Sequence, residues 1–212
     1  DHQVVYRWDA MRAMLDDVGG PRPALVHAHV GYPEGAAAAR AADHLGVPLV
    51  LTEHATYLDR LLGDPDTRPA YAAAARRAAR VIAVSRTLAD RILAELPDLA
   101  DRLVVIPNTV DVEGFRLAAP DERVADELLW VGYRRPIKGI DTLLAAFRIV
   151  REARPAATLR LVGRSTSAAE EAGWHRLAAE LGVADAVAFD PPADRAGVAA
   201  AMARASVFVH AS

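Results

Sequence analysis

"LLWVGYRRPIKGIDTLLAAF", Leu128 to Phe147, decides how this chain folds. An apolar run ends at Val131 and Gly132 breaks it; the cations Arg134, Arg135 and Lys138 follow with no carboxylate among them, and Gly139 opens a helical pattern. Ile140, Leu143, Leu144, Phe147 and Val150 recur at helical spacing and mark one packed face. Strand, glycine turn and helix make the first half of a βαβ unit. In open α/β sheets such a turn lies at the carboxyl edge of the strands, where free helix N–H groups and the positive dipole end favour phosphate. A diphosphate ligand fits this turn, and so does a solvated basic surface; the residues alone leave both open. The segment lacks G-x-x-x-x-G-K-[ST], and no G-x-G-x-x-G occurs in the chain.

Outward from that stretch, short β-branched or leucine-rich runs alternate with longer alanine-rich amphipathic segments, which predicts an α/β chain built on parallel sheets. Strands are expected near Ala24–Ala28, Pro48–Thr52, Val81–Val84, Leu103–Ile106, Leu128–Val131, Thr158–Val162, Val187–Phe189 and Val207–His210. Their nearly unbroken apolar character implies burial on both faces. Helices are expected at about Gly35–Leu45, Pro69–Ala79, Thr87–Leu96, Gly139–Glu152, Ala168–Leu181 and Arg195–Arg204. Pro69 suits a first helical position, "LGVP" at Leu45–Pro48 reads as a helix stop with Gly46 as left-handed cap, and "LGV" at Leu181–Val183 repeats it. Ser85 reads as an N-cap. Between Pro107 and Asp126 the periodicity lapses, which marks a linker between two α/β halves. No internal repeat interrupts this organisation.

The 212 residues are 52% hydrophobic and 25% charged with net charge −3, a composition that excludes disorder as the default. No apolar run approaches the roughly 20 residues of a membrane span. Without cysteine there are neither disulfides nor thiolate metal sites, and mild acidity argues against nucleic acid as a partner, so any anion site is local. A cytoplasmic protein is the default expectation, with peripheral membrane contact left open.

Three further groups invite chemistry. His54 ends the strand of "VLTEHATYL", where a side chain points toward the ligand edge and an imidazole can move a proton near neutral pH; a strand-end histidine bonded to backbone is the ordinary alternative. His27 and His29 share a strand face, yet a metal site would need acidic partners that the sequence does not offer, and strand-end polarity explains them better. Ser85 is not in G-x-S-x-G, and no carboxylate pair stands at a spacing suited to acid and base roles.

Taken in order, "PALVHAHVGYPEG" (Pro23–Gly35), "GVPLVLTEHATYL" (Gly46–Leu58), "ARVIAVSRTLADRI" (Ala79–Ile92), "LVVIPNTVDVEGF" (Leu103–Phe115), the opening stretch and "ATLRLVGRS" (Ala157–Ser165) resemble the GT-B fold glycosyltransferases of family 4. The resemblance spans nearly the whole chain. It implies two Rossmann-like domains facing a cleft, here an acceptor-side domain over residues 1–113 and a nucleotide-sugar domain over 114–212, both incomplete. It implies a retaining transfer of hexose from a UDP- or GDP-type sugar to a lipid, polysaccharide or small-molecule acceptor, with no bound metal or other cofactor. By position, Lys138 would neutralise the donor diphosphate and Gly132 would lie close to it. His54 would stand near the transferred sugar, Gly163 would flank that sugar, and backbone around Phe189–Pro191 would flank the base.

The chain departs from the family pattern in two places. Tyr133 stands where members usually carry arginine, with Arg134 next; Arg134 substitutes only if the loop shifts, because one position along a strand edge turns a side chain away. Members also continue into a segment bearing a glutamate pair that holds the donor, and begin with strands and a glycine-rich loop not seen here, so a fragment or an incomplete gene product is expected. Two other functions stay open: a noncatalytic nucleotide-sugar binding module and a GT-B-like sugar-nucleotide epimerase.

Overall fold

The structure, a computed structural model, describes residues 2–17, 20–116 and 118–211. The chain divides into two compact units that meet between Thr109 and Val110. The first runs α1 (His2–Asp17), β1 (Val26–His29), a kinked turn (Gly31–Gly35), α2 (Ala36–Leu45), β2 (Leu49–Glu53), α3 (Leu58–Gly63), α4 (Arg68–Arg77), β3 (Arg80–Ala83), α5 (Arg86–Glu95) and β4 (Leu103–Val105). The second runs β5 (Val124–Val131), α6 (Ile140–Ala153), β6 (Thr158–Val162), α7 (Ala168–Glu180), β7 (Val187–Asp190), α8 (Arg195–Arg204) and β8 (Ala205–Phe208). Each unit holds one four-stranded, wholly parallel sheet, ordered β1-β2-β3-β4 in the first and β7-β6-β5-β8 in the second.

Local signals explain most element ends. Gly46 takes the left-handed conformation and its N–H bonds back to Ala42 and Asp43, closing α2 before Pro48. Ser85 Oγ accepts from the Leu88 N–H at 3.1 Å and so caps α5. In the first core, Leu49, Leu51, Val81 and Ile92 are fully buried, and the small Ala37, Ala42 and Ala75 let α2 and α4 sit close to the sheet. In the second, Trp130, Leu159 and Leu161 of the sheet pack on Ile140, Leu144 and Phe147 of α6. Each fully buried leucine, isoleucine or phenylalanine contributes about 1.5–3 kcal/mol.

Four elements depart from expectation. Helix α1 was not foreseen, because its core contact is a narrow stripe of Val4, Trp8 and Met11 in a polar segment. Helix α3 has six residues, too few to display a period. Strand β5 begins at Val124, inside the expected linker, because a register shift between Val124 and Leu128 carries it onto β8. Strand β8 spans Ala205–Phe208 rather than Val207–His210.

In the second sheet β5, β6 and β7 step outward in one direction while β8 returns to the opposite side of β5. Ligands of open α/β sheets bind outside the carboxyl ends of the strands at such a reversal. The turn after β5, carrying Lys138, therefore occupies the position where topology alone predicts a binding crevice. It also abuts the segment after β8: Gly139 is left-handed (φ 63°), and a Cβ there would overlap the Ala211 carbonyl.

Candidate functional site

At the carboxyl edge of the second sheet, β5 and β6 stay in register past their ends. Val131 faces Val162, the Gly132 N–H bonds the Val162 carbonyl at 3.0 Å, the Arg134 N–H bonds the Arg164 carbonyl at 2.9 Å, and Arg134 bridges Ser165. Gly132 and Gly163 thus lie side by side, and a Cβ on Gly163 would overlap the Gly132 carbonyl oxygen, so only glycine closes this approach. Side chains alternate between sheet faces, which makes Tyr133 and Arg164 one cross-strand pair and Arg134 and Ser165 another on the opposite face.

The two pairs have different fates. Arg134 is 3% exposed, and each of its guanidinium nitrogens is engaged. Nη1 donates to the Leu161 carbonyl at 3.0 Å and the Asp190 carbonyl at 3.1 Å, and Nη2 donates to Glu171 of α7 at 2.9 Å. The Phe189 ring lies 5.6 Å from its guanidinium carbon. Ser165 Oγ donates to the same Glu171 carboxylate. Burial pushes the Glu171 pKa up, but hydrogen bonds from Ser165 and Arg134 outweigh it and hold the carboxyl below its ordinary value. Arg134 was expected on a phosphate; its geometry makes it instead a tie between β6, β7 and α7.

Tyr133, by contrast, is 53% exposed. The Arg164 guanidinium carbon lies 5.1 Å from its ring centroid, and Nη2 donates to its hydroxyl at 3.1 Å. Both line a cavity of about 280 Å³ with Gly132, Gly163, Pro192 and Val198. Lys138 stands half-exposed in the turn, and among the described residues neither it nor Arg164 is paired with a carboxylate. It is also the only lysine among 25 lysines and arginines, a signal the sequence carried in plain sight. An ammonium and a guanidinium differ in hydration, geometry and reach, so one lysine in an arginine-biased chain points to a position where arginine does not serve.

The carboxyl edge of the first sheet is built around a buried anion. Glu53 is 0% exposed; its Oε1 accepts from the N–H groups of His54 at 2.8 Å and Ala55 at 2.6 Å, and its Oε2 from the Gly31 N–H at 3.0 Å. It thereby ties the loop after β1 to the loop after β2 and fixes where His54 leaves the strand. Beneath it lies Tyr71, whose pKa is driven up by burial and by the Glu53 charge. A Cβ on Gly31 would be driven into the Tyr71 ring, so the turn accepts no larger residue. Sequence reasoning assigned Glu53 no role of its own; an acidic residue directly before a strand-end histidine was the available clue.

Three imidazoles line this edge. His29 Nδ1 lies 2.9 Å from His54 Nε2, with ring centroids 5.2 Å apart, and His27 Nε2 lies 2.8 Å from Thr52 Oγ1. His27 is held below the ordinary imidazole pKa, first by burial and then by His29 and His54. The His29–His54 contact requires one ring nitrogen to donate and the other to accept, which couples the tautomers of the two rings. Among the described residues no group of three or more histidine, aspartate or glutamate side chains is arranged to hold a metal ion. Nor is any described helix long and apolar enough to cross a membrane. The expected site residues thus fall into two sets, His54 on the first sheet and Gly132, Gly163 and Lys138 on the second, while Arg134, also expected there, is turned inward onto Glu171 and two carbonyls.

Comparison with known proteins agrees with this architecture. The pattern of Glycosyltransferase Family 4 matches residues 2–113, and that of Glycosyl transferases group 1 matches residues 125–212. A D-inositol 3-phosphate glycosyltransferase of Streptomyces scabiei is 33% identical over 98% of this chain and 50% of its own length. One from Stackebrandtia nassauensis is 34% identical over 82% of this chain and 43% of its own length. The chain spans about half the length of these relatives. Among solved structures, Anabaena HepE in complex with UDP and glucose superposes with TM-score 0.72 at 20% identity, over 89% of this chain and 53% of that one. The pneumococcal O-GlcNAc transferase GtfA in complex with UDP and GlcNAc gives TM-score 0.69 at 16% identity, over 95% of this chain and 40% of that one. By fold, by matched family patterns and by sequence identity, the chain belongs to glycosyltransferase family 4, with an α/β GT-B architecture.

Proposed function

We propose that this chain is part of a retaining glycosyltransferase that moves a hexose from a UDP- or GDP-type nucleotide sugar to an acceptor, with the second unit serving the donor and the first the acceptor. The observation that carries this reading is Lys138: the sole lysine, without a carboxylate partner among the described residues, in the switch-point turn that follows β5 and Gly132. In the transfer, the bond between the sugar's anomeric carbon and the diphosphate oxygen breaks, that carbon bonds an acceptor hydroxyl oxygen whose proton passes to the departing diphosphate, and on the way negative charge grows on the nucleotide. A fixed ammonium at that oxygen stabilises the transition state more than the ground state, which is the requirement for catalysis. Gly132 and Gly163 let backbone approach the phosphate and the sugar. His54, held by His29 and by the Glu53 latch, is the group of the first unit that this reading assigns to the acceptor side of the transfer.

Relatives named for D-inositol 3-phosphate and neighbours crystallised with UDP or UDP-glucose support a nucleotide-sugar donor and a small polar acceptor. The test is titration calorimetry of the chain with UDP- and GDP-sugars, followed by a product assay with inositol phosphates. Binding that weakens about tenfold or more in Lys138→Gln, the loss of one charge-assisted contact, is the expected result. No binding of either nucleotide class overturns the reading. Binding with neither transfer nor hydrolysis of the donor favours a noncatalytic nucleotide-sugar module.

A further inference from the structure

The arginines of the second unit are commonly held by carboxylates, as Arg151 is by Asp185, Arg154 by Asp126 and Arg204 by Glu127. Arg164 is exposed at the mouth of the cavity between the ends of β5 and β6, and its partner there is the Tyr133 ring and hydroxyl. An aromatic face attracts a guanidinium without neutralising it, so the full positive charge remains available at the cavity. The hydrogen bond has a second consequence. Nη2 donates to the Tyr133 oxygen, which leaves the phenolic proton free to be given away, while the remaining guanidinium N–H groups meet no acceptor among the described residues. The pair therefore offers a planar cationic fork and an adjacent O–H donor, a combination suited to the oxygens of a phosphate. Arg134, expected to hold the donor diphosphate with Lys138, cannot fill this role, because its donors are spent on Glu171 and two carbonyls. Lys138 supplies one charge, whereas a diphosphate carries more than one.

We propose that Arg164, steadied on Tyr133, is the second cation for the diphosphate of the bound nucleotide, gripping it together with Lys138. This rests on the nucleotide-sugar reading of the same site. Register places the pair: Tyr133 and Arg164 follow directly on the glycines whose backbones come together, so the fork stands over the floor that the two glycines make.

The test uses titration calorimetry of the 212-residue chain with UDP, GDP and their parent nucleosides, on wild type, Arg164→Gln, Arg164→Lys, Tyr133→Phe and Lys138→Gln. Arg164→Gln is expected to weaken the diphosphate about tenfold while changing the nucleoside less than about twofold. Arg164→Lys recovers part of that loss, and Tyr133→Phe, which keeps the ring but removes the hydroxyl, loses a few-fold. The salt dependence of diphosphate affinity should also become shallower in Arg164→Gln. Because Arg164 is exposed, an unchanged melting temperature separates binding from folding. An equal loss for nucleoside and diphosphate assigns Arg164 to the base and overturns the proposal. Wild-type affinity in Arg164→Gln, with weakened binding in Lys138→Gln, overturns it while leaving the nucleotide reading intact. A chain that takes up neither diphosphate overturns both.

Discussion

The two carboxyl edges solve the same problem with opposite charges. In the first unit a buried anion, Glu53, gathers three backbone N–H groups and joins two loops. In the second a buried cation, Arg134, gives its donors to two backbone carbonyls and to Glu171, and joins two strands to a helix. Beside each staple stand the groups with chemistry to offer: near Glu53, imidazoles bonded to one another and to Thr52, and near Arg134, Lys138 with Arg164, which have no carboxylate partner among the described residues. The difference teaches which charges to trust as functional. A charge whose hydrogen-bonding capacity is consumed by its own backbone positions other groups, whereas a charge without such partners is available to a ligand.

That division of labour breaks if removing a staple is harmless. Arg134→Met strips the Glu171 carboxylate of its guanidinium partner, leaving it the Ser165 hydroxyl and His175, and leaves two carbonyls without their side-chain donor; it should cost about 3 kcal/mol in denaturant unfolding, at the lower end for a buried pair because Glu171 is part-exposed. Glu53→Gln keeps one acceptor oxygen but turns an NH₂ toward a backbone N–H, and should cost about 2 kcal/mol by the same measurement. A cost below about 0.5 kcal/mol for either, the level of an ordinary surface change, would mean that the staple is ornamental.

Acid sharpens the comparison further, with a smaller effect. The Glu171 pKa is lowered in the folded state, so the carboxylate's stabilisation is present above the unfolded value near 4.5 and is lost as pH falls through the folded value. Wild type should exceed Glu171→Gln by about 1 kcal/mol at pH 7, discounted for partial exposure, and the gap should close as the pH drops below 4.5. A gap independent of pH would show that Glu171 acts through shape rather than charge. Neutral His27 works in the same direction at higher pH: its lowered value means that stability declines as pH falls below the ordinary imidazole range.

Much of this was legible in the sequence, for identifiable reasons. Strand and helix order followed from the alternation of apolar runs and alanine-rich segments, and caps such as Gly46 and Ser85 marked ends because their geometry is local. Helix α1 and the early start of β5 were not legible, since each depends on tertiary contacts, the first with a narrow stripe and the second with β8. The basic turn was visible, but which of its cations is free was not. Period-two alternation turns Arg134 one way and Tyr133 the other, and that phase is fixed by pairing with β6 rather than by the turn's own composition. Arg164 escaped notice because its partner lies 31 positions away in the chain.

The central claim is that Lys138 meets the phosphates of a nucleotide. A chain with one lysine allows a direct measurement: limited acylation with an amine-reactive reagent, read by mass spectrometry at Lys138, with the chain's α-amine as internal reference. The account predicts that UDP or GDP slows modification of Lys138 while uridine and guanosine do not, the α-amine being unaffected throughout. Equal labelling of Lys138 with and without saturating nucleoside diphosphate would contradict it.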